Sequence, residues 1–161
     1  MAEIDLIVEG IDEPRWIARV QAYLETLVEE QGEANWEMSL TLCDNSYIAE
    51  LNEEYRGKEG PTDVLTFVMD EGESTFPDDP NLPHAVGDII VSLEKVKENA
   101  ENLTVSPEEE LKRVILHGIL HLKGMTHEGY DWNTGMLKEQ EELLVKYKDI
   151  RLTEDNETFL D

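Results

Sequence analysis

Residues 107–122, PEEELKRVILHGILHL, constrain the fold more than any other segment, because after Arg113 they are apolar on nearly every side. A helix with that pattern offers no face to solvent and belongs at the centre of the molecule, covered by other elements. Its start is marked by Ser106 as N-cap, Pro107 at the first helical position and Glu109 completing a capping box. Its end falls at Gly124, which suits a left-handed C-cap. His117 and His121 interrupt this apolar rod. Four residues apart at about 3.6 residues per turn, they project from nearly the same face, one above the other. The turn at Gly124 brings His127 toward the same point, so three of the four histidines fall within HGILHLKGMTH, residues 117–127.

The rest of the chain supplies the cover. Alternation at residues 3–9 and 36–43 predicts two strands, the second with Trp36, Met38, Leu40 and Leu42 on one side. Between them, apolar residues at helical spacing predict a helix from Glu13 to about Glu30. Asp44 caps a helix through Tyr55 that Gly57 and Gly60 stop, and residues 63–69 read as a third strand. An acidic segment with three prolines, 70–86, reads as a long loop holding the fourth histidine, His84, as an ordinary polar residue. GDIIVSL at 87–93 suits a buried strand, helices follow at about 93–103, 107–123 and 134–148, and the last dozen residues read as a frayed acidic tail. The expected class is α+β: a mixed sheet of about four strands, packed with helices around a central buried helix that carries the HxxxH pair. Residues 1–161 are expected to form one domain.

One cysteine, Cys43, can neither close an internal disulfide nor supply a thiolate cluster, so a metal here is held by imidazole or carboxylate. Three neutral nitrogen ligands leave a zinc ion with an open fourth position, the catalytic pattern, and hydrolysis is the natural reaction class. The spacing matches HExxHxxGxxH of the metzincin proteases, except that Gly118 replaces the glutamate that acts there as general base. Glycine cannot take a proton. Peptidase chemistry loses its support while the ligand spacing survives.

Three blocks, LNEEYRGKEGPTDVLTF at 51–67, GDIIVS at 87–92 and HGILHLKGMTH at 117–127, stand in the order and spacing of one known family. From about residue 36 to 145 the chain resembles the YbeY family of bacterial rRNA-maturation endoribonucleases. The resemblance implies a single-strand-specific, metal-dependent endoribonuclease acting in 16S rRNA 3′-end maturation and ribosome quality control. Its partners would be single-stranded RNA, the 16S rRNA precursor and the ribosome or its small subunit, with neither DNA nor membrane. It also implies that His117, His121 and His127 hold one metal ion, Zn²⁺ in the first place, with Ni²⁺ or another divalent ion also suited to imidazole. Arg56 is the implied catalytic residue, a guanidinium fork for phosphate oxygens and for charge developing on the phosphoryl group. The rival reading is a non-catalytic ribosome assembly factor in which the metal staples helix to loop.

Some positions depart from the family. Met125 and Thr126 stand where Tyr-Asp is usual, leaving Asp131 as a substitute partner for the third ligand, and Thr66 replaces a serine. Asp63 and Asp88 are candidates to act near the site, Asp88 equally as a turn or cap residue. The general base stays open between attack by the RNA's own 2′-hydroxyl and attack by activated water. Charge sets a further condition: 13 Lys plus Arg against 38 Asp plus Glu give a net charge of -25, which repels polyanions at long range. RNA binding therefore needs a local positive mouth, for which Arg56, Lys58, Arg113 and Lys123 are the expected contributors. No apolar run approaches the roughly 18 residues of a membrane span, and no secretory pattern opens the chain, so a cytoplasmic location is expected.

Overall fold

The computed structural model describes residues 2–69, 83–124, 135–154 and 157–160. Along it run β1 (Glu3–Glu9), α1 (Ile17–Gln31), β2 (Trp36–Cys43), α2 (Asn45–Arg56), β3 (Val64–Val68), β4 (His84–Ser92), α3 (Leu93–Leu103), α4 (Pro107–Leu122) and α5 (Gly135–Lys146). The strands form one sheet in the order β1-β2-β4-β3. β1, β2 and β4 run parallel, and β3 lies antiparallel to β4 at the edge. The class is α+β with a four-stranded mixed sheet, as the patterning implied.

Alternation along the strands sorts the two faces. Leu40, Leu42, Ile89 and Val91 point to one side and join the apolar residues of α1, α3, α4 and α5 in the main core. On the other side Cys43, Leu65 and Ile90 pack with Ile48 of α2 in a smaller cluster. The apolar helix takes the central place its pattern demands: from Val114 to Leu122, every residue except His117 and His121 is buried. Its entry is held by the Ser106 hydroxyl, which accepts the Glu109 N–H at 3.1 Å. Glu109 turns its carboxylate to Arg113 at 3.4 Å. At the exit Gly124 has φ 93 and donates its N–H to the His121 carbonyl at 2.9 Å. Asp44 caps α2 as expected, accepting the Tyr47 N–H at 2.9 Å.

Four expectations change. β4 begins at His84 rather than Gly87, because β2 supplies Trp36 and Glu37 as register partners for His84 and Ala85. Val86 then bulges, and Gly87 (φ 143) lies so close to β3 that a Cβ would overlap the Phe67 carbonyl oxygen. The acidic loop is shorter at its C-terminal end, and its residues 70–82 lie outside those described. α1 starts at Ile17, after a turn in which the Pro14 carbonyl accepts the Ile17 N–H at 3.2 Å. The described part of the tail is docked instead of frayed: Leu152 is buried, and Phe159 stacks on Trp16 with ring centroids 5.2 Å apart. Partners far away in sequence, Trp16, Arg19 and Glu108, hold it there.

Candidate metal centre

The two histidines left open on α4 face one another. Their Nε2 atoms are 3.1 Å apart, with rings edge-on at 79°. Two nitrogens at zinc-imidazole distance from one tetrahedral ion stand about 3.3 Å apart, so the pair needs little movement to share an ion. The far nitrogen of His117, Nδ1, lies 2.7 Å from Gln140 Oε1 on α5. Gln140 Nε2 in turn donates to Glu141 at 3.0 Å, and Arg113 Nε donates to the same carboxylate at 3.0 Å. Burial works against the Arg113 charge, but Glu141 and Glu110 outweigh it and hold the guanidinium above its already high range.

Gln140 is absent from the sequence-derived candidates. Its signal was a polar residue on the apolar stripe of α5, among Met136, Leu137, Leu143 and Leu144, and it is 2% exposed. The third expected ligand, His127, lies outside the described residues, as do Met125, Thr126 and Asp131. Among the described residues no third His, Cys, Asp or Glu joins the pair. His84 stands at the head of β4, opposite Trp36.

Arg56 is exposed at the end of α2, where its Nη2 donates to the Thr66 carbonyl at 3.3 Å. Thr66 is the ladder partner of Ile89, on whose side chain Gly118 of α4 packs. The arginine and the histidine helix therefore meet the same stretch of the β3–β4 ladder. Lys58 and Lys123 are exposed as well, but Arg113 is tied to Glu109, Glu110 and Glu141. Arg113 does not join a positive mouth as expected, because neighbouring carboxylates on α4 and α5 engage all three of its guanidinium nitrogens.

Asp63 has a structural task. Its carboxylate accepts the Val64 N–H at 2.8 Å and Asn99 Nδ2 at 3.3 Å, tying β3 to α3. Asp88 is a mid-strand residue on the face away from α4, where it accepts the Ser39 hydroxyl. Burial, with Asp44 adding to it, pushes the Cys43 thiol up to about 12, which leaves it a packing residue. A cavity of about 1000 Å³ opens elsewhere, lined by Gly10, Asp12, Asp44, Glu94 and Glu154 among others. Carboxylates dominate it and none of the described candidate site residues lines it, which suits it poorly to phosphate.

A family model described as endoribonuclease YbeY matches residues 5–148. The protein named endoribonuclease YbeY from Treponema denticola is 41% identical over 134 residues, 83% of this chain and 85% of that one. Its namesake from Treponema pallidum is 38% identical over 146 residues, 90% of this chain and 89% of the relative. The solution structure of TM1509 from Thermotoga maritima superposes with a TM-score of 0.55 at 32% identity, covering 88% of this chain and 87% of that one. With the buried HxxxH helix packed on the sheet whose edge strand Arg56 contacts from α2, and with relatives matching along most of its length, the chain belongs to the endoribonuclease YbeY family.

Proposed function

We propose that this protein is a metal-dependent endoribonuclease that cuts single-stranded RNA in 16S rRNA 3′-end maturation and ribosome quality control. Residues 1–161 would act as one catalytic unit in the cytoplasm, working on the ribosome or its small subunit. The observation that carries the reading is the facing pair of Nε2 atoms, 3.1 Å apart on a helix that otherwise buries every side chain around them. His117, His121 and His127 would hold one divalent ion, with zinc the first candidate and nickel or another imidazole-binding metal next. Such an ion, when bound, supplies Lewis acidity at an oxygen of the scissile phosphodiester.

The protein's own groups do the rest. Arg56, exposed at the β3 edge, presents a planar fork of donors to phosphate oxygens, and its hydrogen bond to Thr66 limits where that fork swings. Gly118 removes the protease-type base from the helix, so the proton of the attacking group goes elsewhere. Two routes are chemically open, the RNA's 2′-hydroxyl and water. The product tells them apart: a 2′,3′-cyclic phosphate marks the first, and a 2′-deoxy residue at the cleaved position would then block the reaction.

The test begins with elemental analysis of protein prepared without added metal, where about one divalent ion per chain is expected. Cleavage of a single-stranded RNA should vanish with chelator and return on add-back. Arg56→Ala should lower that cleavage by about 100-fold to 1000-fold, the usual loss of one charge-stabilising donor, with metal content unchanged. A metal-loaded, folded wild type that binds the small subunit and cuts no RNA would overturn the enzymatic reading in favour of a stapled assembly factor.

A further inference from the structure

We propose that Gln140 is a positioning residue that fixes the tautomer of the His117 ring, and that Glu141 and Arg113 in turn fix Gln140. The proposal rests on the reading of His117 as a metal ligand. It follows from the donors and acceptors that join His117, Gln140, Glu141 and Arg113.

A primary amide presents an oxygen at one corner and a nitrogen at the other, and shape alone does not choose between them. At Gln140 both corners are engaged. The Glu141 carboxylate only accepts, and it lies 3.0 Å from one corner, so that corner is the NH₂ group. Arg113 donates to the same carboxylate at 3.0 Å and to Glu110 at 2.8 Å, which holds Glu141 in place. The oxygen of Gln140 therefore faces His117 at 2.7 Å, and because an amide oxygen only accepts, the proton sits on His117 Nδ1. A neutral ring protonated at Nδ1 carries its lone pair at Nε2, the atom that faces His121 at 3.1 Å. Without this partner a neutral imidazole is free to carry its proton at Nε2, where it blocks a metal.

Burial makes the constraint tight. Gln140 is 2% exposed, so water does not readily take over either of its bonds. The residue also costs α5 an apolar contact: it occupies the stripe shared with Met136, Leu137, Leu143 and Leu144, where leucine or methionine would pack at no polar expense. A glutamate at 140 would keep the acceptor but set two carboxylates side by side, which explains an amide at this position. The outer links span α4 and α5, so the relay registers the two helices as well as the ring.

The experiment uses the full chain with its histidines labelled with ¹⁵N. In metal-free wild type, long-range ¹H–¹⁵N correlations should show His117 as the Nδ1–H tautomer. In Gln140→Met, which keeps length and loses both polar corners, His117 should shift to the Nε2–H tautomer or a mixture. Zn²⁺ affinity by chelator competition should weaken about 10-fold to 100-fold. Glu141→Gln, at a half-exposed site, frees Gln140 to turn over and should reproduce part of both effects, which carries the test if Gln140→Met does not fold. An unchanged His117 tautomer in both variants would overturn the proposal. Absence of Zn²⁺ binding by wild type, with the tautomer still controlled by Gln140, would instead overturn the metal reading.

Discussion

At the scale of single residues, Gly118 decides what α4 can and cannot do. A Cβ built there would lie 2.7 Å from Ile89 Cδ1 and 3.0 Å from both Cγ atoms of the same side chain. Because Ile89 is fully buried and β-branched, no rotation clears all three contacts at once. A side chain at 118 therefore collides with the sheet, and the position that holds the base in metzincins has no room for one. Gly118→Ala should gain up to about 1 kcal/mol of helix propensity and lose more to overpacking, for a net destabilisation of about 1–2 kcal/mol in thermal or urea unfolding. A variant as stable as wild type would show that β4 yields there without cost. The histidine pair was legible in the sequence because a spacing of four on a helix is local geometry. Gln140 was not, since its contact with His117 arises from the packing of α5 against α4. Arg113 misled for the same reason: its charge is plain in the sequence, but the carboxylates that engage it come partly from α5.

At the scale of elements, α4 does two jobs with its two ends. Its C-terminal half carries the histidines, and its first turns clamp the end of the chain. Glu108 accepts the backbone N–H groups of Leu152 at 2.8 Å and Thr153 at 2.6 Å, while Lys112 Nζ donates to the Tyr147 and Ile150 carbonyls at 2.7 and 2.8 Å. Burial alone would raise the Glu108 carboxyl; the bonds from Thr153 and Leu152, with Arg151, outweigh it and hold the group below its ordinary range. A depressed folded value means that the clamp contributes fully above the pKa of the unfolded carboxyl and fades as pH falls through the folded one. Glu108→Gln should therefore cost about 2 kcal/mol near neutrality and flatten the loss of stability between about pH 5 and pH 3. Urea unfolding followed across that range reads both effects, and parallel curves for wild type and variant would rule the clamp out as an acid-sensitive element. Nothing in the acidic tail sequence hinted at this, because the partners lie more than forty positions away. Strands β1, β2 and β3 were legible for the opposite reason, since their alternation is written in consecutive residues. The first residues of β4 carry no such pattern, and it is pairing with Trp36 and Glu37 that makes them a strand.

Across the whole molecule, the net charge of -25 and an RNA substrate impose opposite demands. The structure narrows how they meet. With Arg113 withdrawn into its carboxylates, Arg56, Lys58 and Lys123 remain as exposed cations of the expected mouth. Three phosphate contacts on a single strand give a slope of roughly -2 in log K against log salt, as each contributes about -0.7. Free RNA would therefore bind weakly and lose little affinity on raising salt, and tight engagement would need a surface beyond this chain to hold the strand in place. Fluorescence anisotropy with a labelled single-stranded RNA, measured on metal-loaded protein from low to moderate salt, gives the slope directly. A value steeper than about -4 would require six or more neutralised phosphates, more than these side chains supply, and would mean that the strand follows a basic path elsewhere on the molecule. Lys58→Ala and Lys123→Ala sharpen the test, because each should make the slope shallower by about 0.7 only where that lysine is one of the contacts.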